Sequence, residues 1–237
     1  MISDVGRRSG GRSPRSSPAG DLVPTPRGDA RVWLDRPAGG PAALLVLGHG
    51  AGGGVAAPDL MAVRDAAVGA GLAVARAEQP YRVAGRRSPA PAAALDEAWV
   101  AVIAWVRRRG RGAAALRTLP LVVGGRSSGA RVACRTATAV GAVGVLALAF
   151  PVHPPGRPEQ SRLPELAAAA VPVLVVQGDR DPFGMPPPAP GRTVHVVAGA
   201  DHSLRTGQAA YAAAVLDWLA SLGGSLTAPD GGATVAP

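Results

Sequence analysis

The sequence predicts an α/β fold in which helices cover both faces of a mostly parallel central sheet. Short apolar runs bounded by glycine or proline alternate with stretches whose apolar residues recur at helical spacing. Several runs are apolar at every position, as in strands that are buried on both faces of a parallel sheet. The connections are short, which is typical of doubly wound sheets, whose ligands bind at the carboxyl ends of the strands.

Six apolar runs are the predicted strands of this sheet: residues 43–47, 72–75, 121–123, 143–150, 173–176 and 193–197. A seventh segment alternates apolar and polar residues instead. It predicts an antiparallel edge strand over residues 29–35, paired with residues 21–25. Helical spacing or helix-compatible composition predicts helices over residues 58–69, 92–109, 130–140 and 204–222.

Composition indicates one globular domain between two polar tails. Of the 237 residues, 47% are hydrophobic, which is enough for a substantial core. Residues 1–20 are rich in Arg, Ser, Gly and Pro and, like residues 223–237, are predicted to be disordered. The domain is predicted over residues 21–222. A single cysteine excludes a disulfide framework and a Cys-rich metal site, and no metal-ligand spacing occurs, so that no metal or cofactor is predicted.

The net charge of +9 raises the question of a polyanionic partner. All 25 basic residues are Arg, seven of them within the first 36 residues, and Arg107–Arg109 end a predicted helix where cations complement its dipole. We therefore expect a small-molecule acyl substrate and no specific nucleic acid, although binding of anionic surfaces by the basic tail is an alternative. Neither an apolar signal region nor a run of 18 apolar residues occurs, which predicts a cytoplasmic protein without a membrane span. The oligomeric state stays open.

The most informative motif is Gly-Arg-Ser-Ser-Gly at residues 125–129, a match to G-x-S-x-G. It follows an apolar run and opens a stretch compatible with a helix, which is the strand–turn–helix frame that a nucleophilic serine requires. The frame selects Ser127 as the nucleophile and Ser128 as a backbone N–H donor. A glycine-rich turn with an incidental serine is the alternative.

A glycine-rich loop, Gly48 to Gly54, follows the first apolar run. Such a loop can supply one of the two backbone N–H donors that stabilise an oxyanion. Ala51 is the first choice for this donor and Gly50 the second. A phosphate-binding loop is a weaker alternative because G-x-x-x-x-G-K-[ST] is absent and the chain contains no lysine. His49 is expected to support the loop.

The acid and the base are predicted on two later loops at strand ends. Asp181 is preferred to Asp179 as the acid, because Asp179 lies beside Gly178 and can bond the local backbone. His202 follows the strand at 193–197 and is the predicted base. Four further residues are predicted to line the substrate pocket: His49, Arg126, His153 and Phe183. His153 could equally be a surface residue of a proline-rich loop, and Cys134 is expected to be a small buried residue.

Five segments carry a family resemblance: GHGAGGG, GGRSSGARVACR, FPVHPPGRPE, QGDRDPFG and GADHSL, in this order. They resemble the dienelactone-hydrolase-like branch of the α/β-hydrolase superfamily, and more narrowly the small lidless bacterial hydrolases related to chromatin-associated non-specific-lethal complex subunits. The resemblance covers about residues 20–222 and implies an α/β-hydrolase fold without a large lid. It also implies roles for six residues: nucleophile Ser127, acid Asp181, base His202, oxyanion positions Ala51 and Ser128, and a loop residue near the site, His153.

These observations predict a serine hydrolase that cleaves a carboxylic ester, a thioester or a related acyl bond through an acyl-enzyme intermediate. Dienelactone hydrolase uses cysteine as its nucleophile, so the resemblance does not imply that activity for a chain with Ser127. Some relatives of this kind act as scaffolds. The alternative is therefore a catalytically silent scaffold or binding protein, and the acyl substrate stays unidentified.

Overall fold

The computed structural model describes residues 19–110 and 115–223, which form one eight-stranded sheet and six helices. Most of both predicted tails lies outside these residues. The strands are β1 (Asp21–Thr25), β2 (Gly28–Asp35), β3 (Leu44–Gly48), β4 (Ala73–Glu78), β5 (Leu121–Arg126), β6 (Gly144–Leu148), β7 (Val173–Gly178) and β8 (Arg192–Val197). The helices are α1 (Pro58–Gly69), α2 (Pro80–Val83), α3 (Ala92–Arg107), α4 (Ser128–Thr136), α5 (Leu163–Ala167) and α6 (Gln208–Ser221).

The strands are arranged in the order β1-β2-β4-β3-β5-β6-β7-β8. Strands β3 to β8 are parallel, and the β1–β2 hairpin is added antiparallel to β4. The predicted pairing of residues 29–35 with residues 21–25 is therefore confirmed. The prediction that residues 29–35 form the edge strand is wrong, because β2 pairs on both sides and β1 is the edge. Alternation shows that one face is more deeply buried and carries no information about whether both edges are paired.

Helix ends also differ from the predictions. The last helix begins at Gln208 and not at residue 204, because the chain turns through Leu204 and Gly207, both of which have positive φ. The helix predicted over residues 130–140 is α4, which begins at Ser128 and ends at Thr136. The four- and five-residue helices α2 and α5 are too short for a periodic pattern and were not predicted.

The core lies in two layers, one on each face of the sheet. All residues of β3, β6 and β7 are buried, which explains why these strands lack polar alternation. On one face α3 and α4 cover the sheet, with Trp99 and Ile103 of α3 fully packed. On the other face α1 packs against α6 through residues such as Leu60 and Tyr211. Within the described residues, no helix is both long and apolar enough to cross a membrane.

Four charged side chains join helices α3, α4 and α5 in a cluster, the α4 ion cluster: Asp96, Arg131, Arg135 and Glu165. Arg135 donates two hydrogen bonds to Asp96, at 2.6 and 2.8 Å, and a third to Glu165 at 2.8 Å. Arg131 donates two hydrogen bonds to the two carboxylate oxygens of Glu165, at 2.5 and 2.8 Å. Such bidentate pairs fix orientation as well as charge, so the cluster holds α4 against its neighbours.

We expect Glu165→Gln to lower the free energy of unfolding near neutral pH by about 1–2 kcal/mol, because two guanidinium groups lose their shared carboxylate at a partly exposed site. Burial raises the pKa of Glu165, but the hydrogen bonds and charges of Arg131 and Arg135 together outweigh it, and the pKa lies below its usual 4.5. The stabilisation is therefore present above about pH 4.5 and is lost as the pH falls through the lowered value. Denaturant titrations of both proteins across this range measure the difference.

The matched control is Glu97→Gln, which removes a carboxylate from an exposed ion pair with Arg27. Exposed pairs contribute little, so its unfolding curve should follow that of the wild type. Equal effects of the two substitutions, or a difference between the wild type and Glu165→Gln that persists at acid pH, would contradict the stabilising role of the α4 ion cluster.

Candidate active site

Ser127 lies in a sharp turn between β5 and α4. Its φ of 53° and ψ of −109° are in a region that residues with a side chain rarely occupy. The backbone N–H of Ser127 donates to the Leu148 carbonyl of β6 at 2.9 Å, and its carbonyl accepts from Arg131 in the first turn of α4. The turn is therefore held on both sides.

The two glycines of the motif allow this turn to pack directly on the backbone of β3. A Cβ atom on Gly125 or on Gly129 would overlap the carbonyl oxygen of Gly48. A Cβ on Gly129 would also lie 2.9 Å from the His49 carbonyl oxygen. Only glycine fits at both positions, which is the physical reason for the spacing that sequence analysis singled out.

Three residues from three separate loops meet at this turn. The Nε2 atom of His202 lies 3.0 Å from Ser127 Oγ, and Nδ1 of the same ring lies 2.8 Å from Asp181 Oδ2. The carboxylate can only accept, so Nδ1–H donates to Asp181 and Nε2 accepts from the serine hydroxyl. The structure thus brings together the nucleophile, base and acid that the sequence predicts.

The side chain of Asp181 is fully buried and is held by more than the histidine. Gln177 Nε2 donates to Asp181 Oδ2 at 2.8 Å, and the Phe183 N–H donates to Oδ1 at 2.9 Å. Sequence analysis did not single out Gln177, although a polar residue at the end of an otherwise apolar strand is a usable signal. Asp179 has a different place: its Oδ1 accepts from the Gly199 N–H at 2.7 Å and joins the loops after β7 and β8.

His49 determines how the glycine-rich loop is oriented. Its Nε2 accepts from the Gln79 N–H at 3.0 Å, so the proton is on Nδ1, which donates to the Gly50 carbonyl at 2.7 Å. Burial lowers the pKa of His49, so that the ring is neutral and this tautomer persists. Because the peptide is planar and trans, the Ala51 N–H points away from the Gly50 carbonyl and hence away from His49.

Several backbone N–H groups around Ser127 have no hydrogen-bond partner among the described residues, among them those of Gly50, Ala51 and Ser128. The Ala51 carbonyl is occupied, since it accepts from the Tyr81 hydroxyl at 3.1 Å. Gly50 approaches the nucleophile closely: a Cβ placed on it would lie 3.5 Å from the Cβ of Ser127. Stabilisation of an oxyanion by the N–H groups of Ala51 and Ser128, with Gly50 as the second choice for the first donor, stays a prediction.

The remaining predicted pocket residues have distinct surroundings. The ring of Phe183 meets that of His202 edge to face, with 4.3 Å between centroids. His153 is half-buried, with Nδ1 2.9 Å from the Pro154 carbonyl oxygen, and its imidazole lies beside Gly184. The Arg126 side chain points to Asp59 and to the His202 backbone. Contact of these residues with a substrate stays a prediction.

Sequence analysis missed Asp59, the second residue of α1. Its side chain is fully buried, and Oδ2 lies 3.0 Å from Nε of Arg126. Helix N-termini commonly carry an acidic residue on the surface, so nothing in the local pattern indicates that Asp59 is buried. The available signal was Arg126, since a partly buried arginine needs an acidic partner.

Comparison with known proteins identifies the family of this chain. The family model of the alpha/beta hydrolase domain matches residues 41–215, which is most of the chain. The chain is an α/β hydrolase. No curated protein sequence gives a match.

Solved structures share the fold of this α/β hydrolase at low sequence identity. An alpha-beta serine hydrolase homologue from Coxiella burnetii is 19% identical with a TM-score of 0.68, and the match covers 87% of this chain and all of that one. A serine hydrolase from Xanthomonas campestris described as lacking a lid is 20% identical with a TM-score of 0.66, covering 89% and 96% of the two chains. Dienelactone hydrolase from Anabaena variabilis is 16% identical with a TM-score of 0.67, covering 87% and 98%.

The hydrolase carries no inserted lid domain within its described residues. The segment between β6 and β7 contains only the five-residue helix α5. In the same part of the chain, no three His, Cys, Asp or Glu side chains are grouped so that they could hold a metal ion. A groove of about 400 Å³ is lined by residues that include Tyr81, whose hydroxyl bonds the glycine-rich loop at Ala51.

Cys134 lies on α4, seven residues after Ser127, and is fully buried. Burial and the charge of Glu165 raise the pKa of its thiol to about 12. A thiol of this kind is protonated at neutral pH and is a poor nucleophile.

We expect Gly50→Ala to lower the hydrolytic rate at least about tenfold without unfolding the protein. The methyl group would lie 3.0 Å from Arg126 Nη1 and would displace the glycine-rich loop, together with the N–H donors that we predict there. Steady-state kinetics with an ester and thermal unfolding measure the two effects. The control is Gly54→Ala, where a Cβ meets nothing within 4 Å. Equal rates for the two variants would show that the loop position at Gly50 does not matter.

We also expect iodoacetamide at about pH 8 to leave Cys134 unmodified and the hydrolytic activity unchanged while the protein is folded. Mass spectrometry should detect alkylation only after unfolding in denaturant. Alkylation of the folded protein in parallel with loss of activity would contradict the inert thiol.

Proposed function

We propose that this α/β hydrolase cleaves a carboxylic ester, a thioester or a related acyl bond by means of Ser127, His202 and Asp181. The observation that carries the proposal is the unbroken hydrogen-bond chain from Asp181 Oδ2 through the imidazole of His202 to Ser127 Oγ. A neutral histidine in this tautomer can accept the serine proton at the moment when Oγ attacks.

In the acylation step, Ser127 Oγ forms a bond to the carbonyl carbon while its proton moves to His202 Nε2. The carbonyl electron pair moves to oxygen, and the N–H groups of Ala51 and Ser128 stabilise the resulting negative charge. The buried carboxylate of Asp181 stabilises the imidazolium. Collapse of the tetrahedral intermediate breaks the bond to the leaving alcohol or thiol, which takes the proton from Nε2.

Water then completes the cycle. His202 Nε2 accepts a proton from water as the oxygen attacks the acyl carbon, and the second tetrahedral intermediate collapses to the free acid. The proton returns to Ser127 Oγ. The net reaction consumes one water and gives one acid and one alcohol or thiol.

We propose a small acyl compound as the substrate. The short β6–β7 connection, with only α5 in it, supports a site that is not enclosed by a lid. The five residues of α5 leave little chain with which to cover a long acyl group.

The test is labelling with a fluorophosphonate probe followed by mass spectrometry of the modified peptide. We expect an adduct on Ser127, and we expect Ser127→Ala and His202→Ala each to lower ester turnover by a factor on the order of 10⁴ or more with little change in thermal stability. The adduct should also be lost from His202→Ala, because without the base the hydroxyl is a weak nucleophile.

Ser161→Ala is the matched control, since Ser161 is an exposed serine whose one side-chain hydrogen bond within the described residues is to the Leu163 N–H. This variant should label and turn over as the wild type does. A folded wild-type protein that neither labels nor hydrolyses esters or thioesters would overturn the proposal and leave a hydrolase-fold binding protein.

A further inference from the structure

The guanidinium of Arg126 lies at the meeting point of three elements of the site. Arg126 is the last residue of β5 and directly precedes Ser127. Its Nη2 donates to the carbonyl oxygen of His202 at 2.9 Å, and its Nε lies 3.0 Å from Asp59 Oδ2. Its Nη1 is turned toward Gly50, where a Cβ would lie 3.0 Å away.

Asp59 provides a fixed support for this guanidinium. The carboxylate is fully buried at the start of α1, and its Oδ1 accepts the Leu60 N–H at 2.9 Å. Burial raises the pKa of Asp59, and the charge of Arg126 opposes that shift. A buried carboxylate without a cation is costly, so Asp59 and Arg126 hold each other in place.

The backbone at His202 needs such a support. The loop between β8 and α6 contains three residues at positive φ, Gly199 (72°), Leu204 (47°) and Gly207 (72°), of which only Leu204 carries a side chain that disfavours it. On the far side of this loop, the Tyr211 hydroxyl donates to the Leu204 carbonyl at 3.2 Å. On the side of Ser127, the Arg126 side chain donates to the His202 carbonyl and so joins this loop to the end of β5.

We propose that Arg126 is a positioning residue for catalysis. Clamped by Asp59, its planar guanidinium holds the His202 backbone at a set distance from Ser127, so that the imidazole stays within hydrogen-bond reach of Oγ. The inference rests on the proposed function, in which His202 is the base. A displacement of about 1 Å in a reacting group can cost on the order of a hundredfold in rate.

Lysine cannot replace this arrangement. The guanidinium presents its nitrogens in a rigid plane, so that Nε lies against the Asp59 carboxylate as an ion pair while Nη2 donates to the His202 carbonyl. A single ammonium at the end of a flexible chain keeps the charge beside Asp59 but not the fixed fork. Arg126→Lys thus separates positioning from simple neutralisation of the buried carboxylate.

The decisive measurement compares Arg126→Lys with the wild type on a neutral ester, p-nitrophenyl acetate, and an anionic one, mono-p-nitrophenyl succinate. Rates are expressed per active site, as counted by fluorophosphonate titration. We expect kcat to fall about ten- to a hundredfold on both esters, with KM within about twofold of the wild type. Asp59→Asn removes the negative charge beside Arg126 but keeps an oxygen that can accept from the Leu60 N–H. We expect this variant to lower kcat as well.

Arg180→Lys is the matched control, because Arg180 is an exposed arginine in the loop that carries Asp181. Its kcat and KM should equal those of the wild type. Unfolding temperatures of all variants show whether any loss of rate is a loss of fold. If Arg126→Lys does not fold, Asp59→Asn decides the matter with the same kinetics.

A measurement without substrate separates this inference from the proposed function. The proton NMR signal of His202 Nδ1–H, assigned by its absence from His202→Ala, reports the bond to Asp181. We expect the signal to broaden or disappear in Arg126→Lys and to persist in Arg180→Lys. Absence of turnover by the wild type would overturn the proposed function, and the NMR comparison would still test the positioning.

Three results would overturn the inference. Unchanged kcat per active site and an unchanged His202 signal in Arg126→Lys would show that only the charge matters. A lowered unfolding temperature with unchanged kcat per active site would assign Arg126 to stability. A rise in KM confined to the anionic ester would make Arg126 a binding residue for substrate anions.

Discussion

The candidate site depends on one close backbone contact, in which the turn at Ser127 packs on the end of β3. Gly125 and Gly129 touch the Gly48 carbonyl with no room for a side chain. A serine held at positive φ costs about 1–3 kcal/mol, so the conformation persists only where neighbouring structure enforces it. The contact supplies that enforcement, together with the bond from the Ser127 N–H to β6. It also places the free N–H of Ser128 beside the loop that carries Ala51.

Rigid support extends from this turn in both directions along the chain. Toward the carboxyl terminus, α4 is fixed by the α4 ion cluster and by its buried face, so the helix cannot relax the strain at Ser127 by shifting. Toward the amino terminus, β5 lies between two parallel neighbours and is buried up to Arg126. The position of Ser127 is therefore set by the scaffold, and the position of His202 must be matched to it separately.

Sequence reasoning predicted the parts of this molecule that local chemistry determines. Apolar runs located the parallel strands, and glycine and aspartate motifs at their ends located Ser127, Asp181 and His202. It failed where distant residues decide the outcome. Alternation in residues 29–35 could not show that β4 occupies their second edge. The burial of Asp59 depends on Arg126, 67 positions later in the printed sequence, and no local pattern encodes that pairing.

The buried pair of Asp59 and Arg126 is hard to explain by stability alone. A buried ion pair pays a large desolvation cost, and well-packed apolar residues of similar volume are often equally or more stable. The pair lacks a well-aligned hydrogen bond between Asp59 Oδ2 and Arg126 Nε, which weakens the stability argument further. What apolar residues could not supply is the bond from Nη2 to the His202 carbonyl. The charged pair therefore makes physical sense as the means by which the loop that contains Leu204 at positive φ is tied to the residue before Ser127.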